Sequence, residues 1–236
     1  MTVGQRKILV IQNDKTDPPH LVGLWLEELG FTVEVIHAYA GSPVPNRVPP
    51  GILAVIPLGG HMNANDDANY PWLPIERALL KDAIDRDIPI FAICLGTQLL
   101  AVAGGGRVEK ADTGEVGVYK VKSNKIKDSI FNFDGELPVA QWHEDIVTEL
   151  PAGATRLASS ELCDNQIYRI GTNSYGVQFH PEIDLSIVKT WERDADDAFL
   201  DSGKATIEPE FAKMESELAR IWKPFVQHWG RLVLEQ

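Results

Sequence analysis

The chain has 236 residues, 44% apolar and 24% charged, with 34 acidic against 22 basic side chains and a net charge of −12. This is the balance of a soluble globular protein, with no apolar run near the roughly 18 residues of a membrane span and with a surface that repels nucleic acid and anionic membranes. Two cysteines, Cys94 and Cys163, are too few for a disulfide framework, and the polar start lacks the apolar stretch of a signal peptide. The chain therefore reads as cytoplasmic, with free thiols.

Residues 7–12 read as a first strand. Leu21, Leu24, Trp25, Glu28 and Leu29 follow at helical spacing, with Gly30 as the stop. Residues 31–36 alternate as a second strand, and residues 52–56 form a third, buried one after a loop holding four prolines between Gly41 and Gly51. This β-α-β opening predicts a parallel sheet. The third strand runs into Pro57-Leu58-Gly59-Gly60-His61-Met62. Glycines at that edge let backbone N–H groups approach a ligand, although a Gly-Gly pair alone more often marks an ordinary turn. Residues 63–70 read as a polar loop. Pro71-Trp72-Leu73-Pro74 opens a helix to about Arg86, buried through Leu79, Leu80, Ala83 and Ile84.

The next stretch, residues 88–100, is the centre of the pattern. Ile90, Phe91 and Ile93 read as a strand covered on both faces, and Leu95, Leu99 and Val102 as a helix stripe. Cys94 sits at their joint, where the sulfur faces the helix N-terminus, whose free N–H groups and dipole favour a thiolate. Gly96 leaves room for a tight turn and for a substrate. The arrangement is that of a nucleophile elbow with Cys in place of Ser; a buried packing cysteine is the alternative.

Gly104-Gly105-Gly106 ends that helix. From residue 107 to 160 the pattern shifts to short strands, clearest at 116–121 and 137–142, with a turn at 132–135. Residues 166–170 and 175–179 flank Gly171-Thr172-Asn173-Ser174 as a hairpin. Residues 184–199 and about 208–233 read as helices. Phe211, Met214, Leu218, Ile221, Trp222, Phe225 and Trp229 line one face of the last helix, which either packs on the core or forms an interface between protomers in an oligomer.

His180-Pro181-Glu182 closes the last strand. Residues two apart in an extended chain point to the same side, with Cα atoms about 6.5 Å apart, and Pro181 fixes one backbone angle between them. Glu182 then accepts a hydrogen bond from one ring nitrogen of His180, and the other nitrogen faces a third group. A cysteine there completes a Cys–His–Glu relay. In isolation, a His-x-Glu at a strand end is usually a surface pair.

The strand-Cys94-Leu95-Gly96-Thr97-Gln98 elbow, the upstream Gly59-Gly60 turn and the downstream Gly176-Val177-Gln178-Phe179-His180-Pro181-Glu182 segment occur in that order. Together they resemble the class I, triad-type glutamine amidotransferase domain of GMP synthetase, anthranilate synthase and carbamoyl-phosphate synthetase, most of all its stand-alone GMP-synthetase-like members. The likeness runs through residues 7–182. It implies one domain over residues 1–236, with a C-terminal helical segment at 183–236 outside the motifs. The implied fold is α/β, a flavodoxin-like three-layer α/β/α arrangement with a mixed, centrally parallel sheet.

The resemblance also implies a chemistry. Cys94 attacks the γ-amide carbon of glutamine, His180 carries protons and Glu182 orients the imidazole. A γ-glutamyl thioester forms and is hydrolysed to glutamate, with release of ammonia. The backbone N–H groups of Gly60 and Leu95 are the implied oxyanion donors. Gly59, Gln98, Gln141, Trp142 and His143 match substrate-binding places, with a solvent-facing role as the alternative for Gln98. His143 lacks, in sequence, the paired carboxylate of His180. Cys163 reads as structural, and His20, His37 and His228 show no partner. His61 departs from the family, which often has Pro there. No synthase domain follows in the chain, so the implied partner is a separate synthase subunit that accepts the ammonia. The second reading is a stand-alone hydrolase of γ-glutamyl amines or peptides, with the loop from His61 to Tyr70 as a pocket wall. A non-catalytic glutamine-binding regulatory domain is the third. Neither metal-ligand spacing nor a G-x-x-x-x-G-K loop occurs, so no metal, ATP or other cofactor is expected.

Overall fold

The computed structural model describes residues 6–195 and 206–236. The first half alternates β1 (Lys7–Gln12), α1 (His20–Glu27), β2 (Thr32–His37), β3 (Ile52–Pro57), α2 (Leu73–Asp85), β4 (Phe91–Ile93) and α3 (Leu95–Ala103). The second half holds β5 (Arg107–Ser123), β6 (Glu136–Glu149), β7 (Thr155–Ser159), β8 (Ile167–Ile170) and β9 (Ser174–Val177), then α4 (Leu185–Asp194) and α5 (Glu208–Leu234). β1 lies between β2 and β3, parallel to both. A parallel bridge from Val55 to Ile90 links β3 to the β4 segment, and β4 runs parallel to β9. Beyond β9 the order is β8-β7-β5-β6, all antiparallel. The sheet is mixed and parallel through its centre, as expected.

The unbroken apolar strands follow from burial on both faces. Ile8, Val10, Ala54, Ile56, Phe91 and Ile93 face α1 and α5, whereas Leu9, Ile11, Val55, Ile90 and Ala92 face α2 and α3. The α5 stripe belongs to the first of these layers. Trp222, Phe225 and Trp229 are almost completely buried, and the Trp229 ring centroid lies 5.4 Å from that of Phe91. The two indole N–H groups donate to the carbonyls of Pro138 and Asn173, both at 3.0 Å. Each such ring contributes about 2–3 kcal/mol by burial. Core packing, one of the two roles left open for this stripe, is what the fold contains, and Pro224 is tolerated on its exposed side.

Three expectations need correction. The short strands expected between residues 107 and 160 include two long ones, of 17 and 14 residues. Glycines and a register shift between Lys110 and Glu115 resemble turns in sequence, but the ladder continues across the irregularity. β9 ends at Val177, so His180 and Glu182 lie beyond the strand and not within its last turn of pleat. The helix expected over 184–199 ends at Asp194; residues 196–199, like 1–5, lie outside the described residues. Among the described residues no helix is long and apolar enough to cross a membrane.

Candidate active site

Cys94 is the residue between β4 and α3, with φ 49° and ψ −109°. Non-glycine residues rarely adopt a positive φ, and such strain costs about 1–3 kcal/mol and clusters at functional sites. Local bonds hold it. The Cys94 N–H donates to Val177 O at 2.9 Å, and Thr97 Oγ1 donates to Ala92 O at 2.9 Å. The first bond of α3 runs from Gln98 N–H to Cys94 O at 3.1 Å, so the N–H groups of Leu95, Gly96 and Thr97 have no acceptor within the helix. Gly96 is required by close approach: a Cβ there would stand 2.1 Å from Pro57 O. The elbow thus packs directly on the end of β3.

His180 and Glu182 are held from both sides despite lying outside the strand. The His180 N–H donates to Ala140 O of β6 at 2.9 Å, and the preceding Phe179 ring packs on Trp222 at 4.4 Å. Glu182 O accepts from Leu21 N–H of α1 at 3.0 Å. Asp184 then caps α4 through the N–H groups of Ser186 and Ile187, and its carboxylate also pairs with His20 Nε2 at 2.8 Å. His180 Nδ1 meets Glu182 Oε1 at 2.6 Å, and Trp191 covers the imidazole edge-on at 4.7 Å.

Burial of His180 opposes its protonation, but the neighbouring Cys94 and Asp17 outweigh it and raise its affinity for a proton. Nε2, the nitrogen not engaged by Glu182, makes no hydrogen bond. Burial pushes the Glu182 carboxyl up to about 8, and the Asp17 carboxyl well above the ordinary range. Nδ1 and Oε1 are engaged with each other, so this donor set is a hydrogen-bonded relay.

Cys94 and His180 open on a cleft of about 570 Å³, lined also by Gly60, His61, Met62, Gln98, Trp142, His143 and Trp191. Among the described residues, five carboxyl side chains border it: Asp14, Asp17, Glu144, Asp145 and Asp194. Four of the sequence-derived binding positions therefore reach the cleft: Gly60, Gln98, Trp142 and His143. Three do not. The side chain of Leu95 is buried beside Gly60. Gln141 turns its side chain into the interior, where neither amide atom has a hydrogen-bond partner. Gly59 lies under the relay, and a Cβ there would fall 2.0 Å from Asp17 Oδ2 and 3.1 Å from His180 Cε1.

Gln98 is not solvent-facing: it is buried, and its Nε2 donates to Asp145 O at 2.9 Å. His143 does have a carboxylate partner, contrary to expectation. Its Nε2 lies 3.2 Å from Oε2 of Glu115, the residue opposite it on β5, without hydrogen-bond geometry, and Glu115 Oε2 accepts from Gln166 Nε2 at 2.7 Å. That pairing crosses the β5–β6 register shift and has no local signature. His20 and His37 also have partners, Asp184 and Gln12. His61 spans Asp14 Oδ2 at 2.5 Å and Tyr70 Oη at 3.0 Å, which places the loop after Gly60 on the cleft wall. The bond to His61 and the other hydrogen bonds to its carboxylate overcome burial and hold Asp14 at about 2. Cys163 is fully buried, and burial pushes its thiol up to about 12.

Gln178 and Asp17 are among the site residues that have no assignment from sequence. Gln178 Nε2 approaches Cys94 Sγ at 3.8 Å. It stands inside the motif that ends at Glu182, so a signal exists. Asp17 stands in no motif and arrives from the loop after β1.

The class-I glutamine amidotransferase profile matches residues 25–190. A chain of the glutamine-hydrolysing GMP synthase of Methanocaldococcus jannaschii, named as one of its subunits, is 39% identical over 102 residues, covering 43% of this chain and 54% of that one. The match thus spans about half the length of that relative. A glutamine amidotransferase-like protein of Salmonella typhimurium is 30% identical over 171 residues, 70% of this chain and 71% of that protein. The crystal structure of a glutamine amidotransferase from Methylobacillus flagellatus superimposes with a TM-score of 0.84 at 26% identity, covering 95% of this chain and 94% of that one. The matched residues 25–190 make up more than half of the sequence, and the chain belongs to the class I glutamine amidotransferase family.

Proposed function

We propose that this chain hydrolyses the γ-amide of glutamine through a thioester on Cys94 and supplies the ammonia to a separate synthase subunit. The observation that carries the reading is the strained Cys94 elbow opening on one cleft with the His180–Glu182 pair. His180 takes the thiol proton, and the sulfur attacks the amide carbon. The amide oxygen becomes an oxyanion, for which the N–H groups of Gly60 and Leu95 are the available donors. His180 then gives its proton to the leaving nitrogen, the C–N bond breaks and ammonia departs. A water, deprotonated by the same imidazole, attacks the thioester, releasing glutamate and restoring the thiol. Glu182 holds the imidazole by Nδ1 and offsets its positive charge throughout. The relative named as part of a GMP synthase supports a partner that consumes the ammonia.

A specific observation favours a second substrate. Among the described residues the cleft is bordered by five carboxyl side chains and by no Lys or Arg, an electrostatic fit to a γ-glutamyl amide whose leaving group is a cationic amine. The test is steady-state glutamate release by the purified chain from glutamine and from a panel of γ-glutamyl amines and peptides, with Cys94→Ala as the blank. Weak release from glutamine alone is the result expected of a chain that awaits its synthase. Strong release from one γ-glutamyl amine, with glutamine poor, replaces the synthase-partner reading by the hydrolase. Release from no substrate would leave a binding domain and sink both.

A further inference from the structure

Resting on that proposed reaction, we infer that Asp17 is a positioning residue of the site, a second carboxyl that shares one proton with Glu182 and thereby fixes the charge facing His180. The geometry is built for contact. Asp17 is 3% exposed, and its carboxyl, the Glu182 carboxyl and the His180 ring bring polar atoms within 4.8 Å of one another. Each carboxyl keeps one buried oxygen without a hydrogen-bond partner, Oδ1 of Asp17 and Oε2 of Glu182. A glycine at position 59 makes the room, since any side chain there would overlap Asp17 Oδ2.

The loop that delivers Asp17 is fastened to the triad segment at three points. Trp191 Nε1, on the ring that covers His180, donates to Thr16 O at 2.9 Å. His20 pairs with Asp184, and Leu21 N–H donates to Glu182 O. A buried aspartate with no cation beside it would be expelled by desolvation unless neutral or paired. The charged and titratable groups acting on it are Glu182 and His180 from the segment after β9, Asp14 from its own loop and, through His180, Cys94 at the start of α3. Two carboxyls this close do not both ionise at neutral pH. The pair therefore carries one proton and one negative charge, directed at the imidazole.

As pH rises the shared proton leaves. A second negative charge then faces His180 and holds its imidazolium to higher pH. Asp17→Asn keeps a donor for Glu182 but cannot lose that proton. Asp17→Ala removes the donor and strands Glu182. The experiment measures alkylation of Cys94 by iodoacetamide against pH, alongside glutamine hydrolysis, for the full chain and both variants, with thermal melting to monitor folding. Alkylation needs no turnover, so it reads Asp17 even if glutamine is not the substrate. The expected result is an alanine variant slowed about tenfold or more, the loss of one charge-assisted hydrogen bond. The asparagine variant should stay within about threefold of the parent at neutral pH, with its alkaline limb about half a unit or more lower. An asparagine variant whose pH profile overlays the parent overturns the inference, whether or not the alanine variant folds. So does an alanine variant within about twofold of the parent.

Discussion

Glu182→Gln is expected to lower kcat/KM for glutamine hydrolysis about a hundredfold while leaving the protein as stable as before or more so. Gln keeps the shape and an oxygen that can accept from His180 Nδ1, now 2.6 Å from Glu182 Oε1. It cannot supply the negative charge that offsets an imidazolium. In a serine triad the equivalent change costs about 10⁴, and a thiol, being more acidic than a hydroxyl, depends less on the base. Stability moves the other way because the carboxyl is fully buried and burial works against its ionisation. Steady-state kinetics paired with thermal melts check both halves. A variant within tenfold of the parent activity would remove Glu182 from the relay.

Glu76→Gln is expected to stabilise the fold by about 4 kcal/mol at pH 8 and to change little at pH 4. Glu76 lies in the first turn of α2, completely buried, with Asn13 Nδ2 on Oε1 at 3.3 Å and Oε2 unpartnered. Burial pushes its carboxyl up to about 8, against the smaller pulls of Asn13 and Arg77. The sign follows from linkage. The folded state keeps the proton to about pH 8, whereas the unfolded chain loses it in the ordinary carboxylate range. The group's contribution is thus fully present at pH 4 and falls as pH rises to about 8. Glutamine does not titrate, so its advantage grows over that window and then levels. Denaturant unfolding at several pH values between 4 and 9 measures it, and a pH-independent difference would contradict the assignment.

What sequence shows and what it hides divide by range. The β1–α3 alternation and the Cys94 elbow are local patterns, set by which residues must be buried and where a helix must begin, so residues 7–103 read almost correctly. His180 and Glu182 are visible because their pairing needs a spacing of only two, even though their segment lies beyond β9. Asp17 is invisible. It becomes part of the site through Trp191, Asp184 and Glu182, all more than 160 residues away in the chain. The Glu115–His143 contact is hidden for the same reason, since its register depends on an irregularity inside β5. Gln141 shows the converse error. Its position beside two cleft residues suggests a binding role, but its side chain is buried, with neither amide atom hydrogen-bonded.

The most direct measurement is the mass of Cys94. The chain is mixed with glutamine, quenched in acid within one turnover and digested, and the peptide carrying residue 94 is weighed. One γ-glutamyl group on that peptide, released by hydroxylamine, is the expected result, together with loss of both adduct and glutamate release in Cys94→Ala. Glutamate release that persists undiminished in Cys94→Ala, with no adduct on the parent chain, would contradict it.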